Sequence, residues 1–217
     1  MKLRTLLILA LICLASVNVN AQFKSSNNIG HKLVNSHYYA ANEGWNVQVQ
    51  GGIDVFFAEN AHGTVREAYS FAVGKNFTSM WGVRLQYFGG ANKNGQVNRN
   101  GVETKEFTFQ HANVYAEAVF NVAAAARGSR LGQERPLNVY LMAGPGYARS
   151  FKFSRGMQGT NSFSFMGGVS VSYDINEYFY VDLALTGALF TDKYNYFDGC
   201  FPLDMDMNTL LGVGVKF

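Results

Sequence analysis

The final nine residues, Thr209-Leu210-Leu211-Gly212-Val213-Gly214-Val215-Lys216-Phe217, alternate between two kinds of surface. One face carries Thr209, Leu211, Val213, Val215 and Phe217, and the other carries Leu210, Gly212, Gly214 and Lys216. A period of two belongs to a β-strand whose two sides meet different environments. The pattern also opens the readable part of the chain. Trp45, Val47, Val49, Gly51, Ile53, Val55 and Phe57 share one face, while Asn46, Gln48, Gln50, Gly52 and Asp54 share the other. An apolar face bounded by aromatics and repeated strand after strand points to an all-β fold.

Composition says what that face meets. Only 15% of the residues are charged, against about 25% in an ordinary soluble domain. The chain also holds 12 Tyr, 18 Phe and 23 Gly but only 3 Pro. A charge-poor, aromatic-rich, strand-patterned chain fits a barrel whose outer wall faces lipid, with aromatics gathered at the interfaces.

The N-terminus carries an export signal. Met1-Lys2-Leu3-Arg4 is basic, Thr5 to Val17 is apolar, and Val19-Asn20-Ala21 offers a small-residue cleavage pattern before Gln22. The apolar run is shorter than the roughly 20 residues a membrane helix needs. Ile12 precedes Cys13, where lipidation requires a small residue. Residues 1–21 are therefore expected to be a signal peptide. Losing Lys2 and Arg4 lowers the net charge from +3 to +1, which gives no case for nucleic acid. Cys200 is the one cysteine left after cleavage, so no intramolecular disulfide is expected.

Parity places eight strands in residues 43–217. The second, about 67–77, turns Tyr69, Phe71, Val73 and Phe77 outward. The third, about 80–90, turns out Trp81, Val83, Leu85 and Tyr87, and turns in Gly82, Arg84 and Gln86. Residues 91–101 then read as an exposed polar loop. The fourth, about 106–122, puts Val114, Ala116, Ala118 and Phe120 out and Asn113, Tyr115 and Glu117 in. Phe107 and Phe109 have the opposite parity, so a bulge near His111 is expected. The fifth, 137–151, contains Pro145, which predicts a bulge or flared end. The sixth, about 161–175, and the seventh, about 178–191, flank a tight turn at Asn176-Glu177, and the eighth starts near Met205. An even strand number puts both termini of the strand series on the same, periplasmic side. The long connections near 58–66, 91–105, 152–160 and 192–204 then fall outside, and the turns near 78 and 176 inside. The 123–136 connection is longer than such a turn requires. Residues 22–42 fit no strand and are expected to form a tail or an inner plug.

These segments resemble a known family. Gly44-Trp45-Asn46-Val47, Val73-Gly74-Lys75-Asn76-Phe77-Thr78 and Trp81-Gly82-Val83-Arg84-Leu85-Gln86-Tyr87 are similar to the first strands of the small OmpA-like outer-membrane barrels. So are Leu141-Met142-Ala143-Gly144-Pro145-Gly146-Tyr147 and the closing Leu211 to Phe217. The resemblance implies an eight-stranded antiparallel up-and-down transmembrane β-barrel in a Gram-negative outer membrane. Outer-membrane lipid and lipopolysaccharide would surround it, and the barrel-assembly machinery would read the terminal Phe217. No peptidoglycan-binding domain is expected, since the chain ends at its last strand.

Chemistry is sparse. Asp54, Arg84, Glu117, Asp182 and Lys216 are the inward charges. Either they form a paired or solvated interior, as a narrow eight-stranded barrel favours, or they line a gated polar path. Arg84 is expected opposite Glu117, and Asp182 near Lys216. A lipid A deacylase-like site resembles His-x-Ser, but Asn113 follows His111 at that spacing and is no nucleophile. His31, His37 and His62 make no metal spacing. Glu103, Glu106 and Asp192 are outer acids that solvent would claim. Gly212 and Gly214 lack the helix a phosphate site needs. Tyr194, Tyr196, Phe197 and Phe201 are loop aromatics, self-packing or adhesive. No enzyme activity and no cofactor are expected. The expected role is structural or surface-interacting, with surface ligands met through the loops. A small channel for small or hydrophobic solutes and a soluble lipocalin-like barrel are the alternatives. Gly44-Trp45 lacks the lipocalin spacer, and no helix follows Phe217.

Overall fold

A computed structural model describes residues 44–57, 65–97, 103–127, 136–151, 159–176, 178–191 and 203–217. The expected signal peptide, the 22–42 tail, His31, His37, His62, Cys200, Asp192 and the four loop aromatics lie outside the described residues. The elements are β1 (Gly44–Phe57), β2 (Val65–Asn76), β3 (Trp81–Val97), β4 (Glu103–Asn121), a short helix α1 (Val122–Arg127), β5 (Leu137–Phe151), β6 (Thr160–Asp174), β7 (Phe179–Thr191) and β8 (Leu203–Lys216). They close in sequence order into an antiparallel barrel.

Closure answers a solvent problem. In hydrocarbon each unmatched backbone group costs several kcal/mol, so a sheet with free edges cannot span a bilayer. Here β8 pairs back onto β1 from Asn46↔Lys216 to Phe57↔Met205. Trp45 and Phe217 extend the seam by exchanging both backbone hydrogen bonds at 2.9 Å. Two periplasmic turns fix the register. Thr78 Oγ1 accepts from the N–H groups of Met80 and Trp81, and Asn176 Oδ1 accepts from those of Tyr178 and Phe179. Both are local side-chain turns of the kind that compete with extended backbone.

The outer wall is apolar. Leu85, Leu141, Leu183, Leu211 and Val213 are among its exposed residues, and Leu211 has 64% of its surface uncovered. Water would penalise such a wall, so a water-soluble lipocalin-like barrel does not fit. Trp81 packs against Phe120 at 4.6 Å near the periplasmic rim, and Lys75 Nζ lies over Trp45 at 5.2 Å. These aromatics and the snorkelling lysine mark one interface. The other lies lower on β1 than its aromatic ends suggest, because Ile53 is the ladder partner of the outward Glu67. Val215 is outward by parity but only 8% exposed. It stands between Val47 and Phe179 in its two ladders.

Several strand expectations need correction. The 91–101 stretch is not simply loop, because β3 continues to Val97 and pairs with β4 from Glu103, with one irregularity between Asn94 and Gln96. No bulge occurs at His111: Gly90↔His111 and Arg84↔Glu117 lie on one unbroken register. Phe109 instead points inward and is 1% exposed, so the parity break was an inward aromatic. Pro145 inserts no residue either, since Tyr115↔Gly146 and Ala118↔Ala143 keep the same register on both sides of it. Pro145 lacks an N–H, and the ladder simply opens between those pairs. The long 123–136 connection begins with α1, whose Ala124 N–H is capped by Asn121 Oδ1 at 3.0 Å.

A closed ring of strands offers unfolding no edge to start from. The folded protein is therefore expected to migrate faster on a denaturing gel unheated than boiled, and to fractionate with outer membranes. Identical migration, or recovery in the soluble periplasm, would contradict the transmembrane barrel.

Candidate functional site

The inner wall carries the chemistry. Alternate residues of β1, β3, β4 and β7 bring Gln48, Gln50, Arg84, Gln86, Glu117 and Asp182 into the lumen, each nearly fully buried. Arg84 and Glu117 are direct ladder partners, and Arg84 Nε lies 2.6 Å from Glu117 Oε2. The remaining guanidinium edges donate to Gln86 Oε1 at 2.8 Å and Gln48 Oε1 at 3.4 Å. Gln86 Nε2 donates to Ser70 Oγ and to Gln50 Oε1, and Ser70 Oγ donates to Gln50 Oε1 at 2.7 Å. Gln50 Nε2 reaches Asp182 Oδ2 at 3.3 Å. A continuous chain of donors and acceptors therefore runs from Glu117 on β4 to Asp182 on β7, across the lumen.

The expected Asp182–Lys216 pairing is not formed. Asp182 stands opposite Gly212 in the β7–β8 ladder. Lys216, four residues further along β8, places Nζ 2.6 Å from Asp174 Oδ1 and 5.5 Å from the centre of the Tyr180 ring. Asp174 also accepts from Asn138, which accepts from Asn121, the cap of α1. A second polar chain thus lines the periplasmic mouth. A cleft of about 40 Å³ lies between the two chains, with Asn46, Arg84, Tyr180, Asp182 and Lys216 on its walls. That volume suits a few water molecules.

Towards the extracellular side the filling becomes apolar. Phe56, Phe88, Phe109, Tyr115, Met166, Phe190 and Leu210 form one buried cluster. Phe56 meets Phe109 edge-on at 5.9 Å, and Phe88 meets Tyr115 edge-on at 6.5 Å. Glycines make room for the large inward rings. A Cβ on Gly214 would sit 2.1 Å from Tyr180 Cζ, and one on Gly146 would sit 2.3 Å from Tyr115 Cδ1. Such aromatic-over-glycine packing is a known device of barrel strands. Asp54, the fifth expected inward charge, is fully buried but joins neither polar chain. It lies instead among His111 and Asp206. Asp206 was missed by sequence reading, although its parity with Lys216 places it inside.

Comparison with solved structures finds the same architecture elsewhere. The crystal structure of Neisserial surface protein A matches with a TM-score of 0.57 and 17% identity, covering 81% of this chain and 98% of that one. Ail, the attachment invasion locus protein of Yersinia pestis, matches with a TM-score of 0.51 and 15% identity, covering 81% and 99%. This chain has the fold of a small eight-stranded outer-membrane barrel. The OmpA-like architecture implied by its strand segments is the one it adopts, and its apolar wall belongs in the outer membrane. No family model matches the chain, and no curated protein matches its sequence. At this level of identity the likeness speaks for the fold. One Ail structure holds the heparin analogue sucrose octasulfate.

Proposed function

We propose that this outer-membrane barrel is closed to solutes and acts as a structural, surface-interacting protein rather than as a pore or an enzyme. The observation that carries the reading is the hydrogen-bonded chain from Glu117 through Arg84, Gln86 and Gln50 to Asp182, which spans the lumen. The Phe56–Phe109 pair and its apolar neighbours fill the section above it. A narrow eight-stranded barrel has room for side chains and little more. Its wall would contact outer-membrane lipid and lipopolysaccharide. The terminal strand ending in Phe217 would engage the assembly machinery, and the extracellular loops would meet surface ligands. The descriptions of its structural neighbours, a surface protein and an attachment protein, agree with that role.

Single-channel recording on the purified barrel in planar bilayers tests the proposal. The wild type is expected to show no steady conductance. Stable, reproducible openings would favour the small-channel alternative.

A further inference from the structure

Three side chains meet in the extracellular half of the lumen, outside both polar chains. Asp54 on β1, His111 on β4 and Asp206 on β8 each offer one ligand atom, and these atoms lie within 4.8 Å of one another. All three residues are at most 1% exposed. Two carboxylates brought this close need a positive charge between them, either a shared proton or a cation. Both oxygens of Asp54 and Oδ1 of Asp206 are buried with no hydrogen-bond donor among the described residues. Asn208, the ladder partner of Asp54, holds its Oδ1 buried in the same condition. The nearest cation by register is Arg66, opposite Asp54. Its Nε finds no acceptor, so that edge of the guanidinium is not spent on the carboxylates.

We propose that Asp54, His111 and Asp206 bind a divalent transition-metal ion, of the zinc or manganese type. Two hard oxygens and one imidazole suit such an ion better than calcium, which takes six to eight oxygens. Metal–ligand bonds of about 2.0–2.2 Å allow at most about 4.4 Å between two ligands on one ion. Three ligands around one ion lie only about 3.3–3.8 Å apart, so atoms within 4.8 Å of one another close onto it by side-chain movements of up to roughly 1–1.5 Å. Asn208 Oδ1 is available as a fourth donor. Phe56 and Phe109 stand one inward position beyond Asp54 and His111 and meet edge-on above them. The ion would enter from outside past this aromatic pair and be held away from bulk water.

The test is calorimetric titration of the purified, chelator-stripped full barrel with zinc, manganese and calcium chlorides in turn. One equivalent of zinc or manganese should bind, with calcium at least about tenfold weaker. Asp54→Asn/Asp206→Asn, nearly the same shape, should weaken zinc or manganese at least about tenfold while keeping the faster unheated migration. Asp182→Asn, outside the cluster, should bind like the wild type. Failure of the wild type to bind would overturn the proposal and favour a shared proton. Undiminished binding by the double variant would overturn it too, since the ion would then sit elsewhere. Should the double variant not fold, Asp54→Asn alone decides, read as loss of the zinc-induced rise in the thermal midpoint. An equal rise in wild type and variant refutes the site.

Discussion

Leu85→Arg is expected to destabilise the folded barrel by about 2–4 kcal/mol, whereas Ala91→Arg on the same strand and face costs about 0–1 kcal/mol. Leu85 is 57% exposed and stands between Val73 and Ala116 in its two ladders, four residues above the Trp81 girdle. A cation there faces hydrocarbon on every side. Ala91 is the ladder partner of the outward Gln110. At ordinary strand rise and barrel tilt, it sits roughly 15 Å further along the membrane normal. Strand, face and incoming arginine are the same in both variants, so depth is the main difference between them. Urea unfolding in lipid vesicles, followed by the heat-shift gel, measures both. Equal losses would mean that the apolar band is not centred where the Trp81 and Glu67 markers put it.

The second large effect is expected at the Arg84–Glu117 pair. Arg84→Met should cost about 3–5 kcal/mol, because it leaves a buried carboxylate without its partner. Glu117 Oε1 already lacks a hydrogen bond, so removing the guanidinium leaves both oxygens bare. Glu117→Leu should cost less, since Arg84 keeps Gln48 and Gln86 as acceptors. The double variant Arg84→Met/Glu117→Leu should regain much of the loss, because apolar groups of similar volume replace a buried ion pair at little or no net cost. A double-mutant cycle on unfolding free energies reads the coupling directly, and strictly additive losses would show that the pair does not interact. Single-channel recording on Glu117→Leu adds a functional readout. A small conductance there, with none in the wild type, would tie the pair to closure of the lumen.

The sequence by itself determined the barrel. Period-two alternation, aromatics at the ends of apolar faces and a low charge content were legible because each strand's two faces obey one local rule. That rule assigned the outward Leu85, Leu183 and Leu211 and the inward Arg84, Glu117 and Asp182 without reference to any partner strand. The Arg84–Glu117 contact was also within reach, since both residues lie a few positions above the periplasmic ends of adjacent antiparallel strands. Local rules failed where the surroundings decide. Phe109 looked outward because it is aromatic, yet the lumen needed an apolar filler at that level and Phe56 was there to meet it. Lys216 was assigned to Asp182 on proximity in two strands, while the register placed Asp174 on β6 within reach of its long side chain.

Tertiary structure alone decided the meeting of Asp54, His111 and Asp206. They come from β1, β4 and β8, and β4 lies across the barrel from the seam that joins the other two. Nothing in their spacing along the chain announces a site. Closing the sheet turned three separate inward positions into neighbours, because a cylinder this narrow makes residues on opposite walls share one small space.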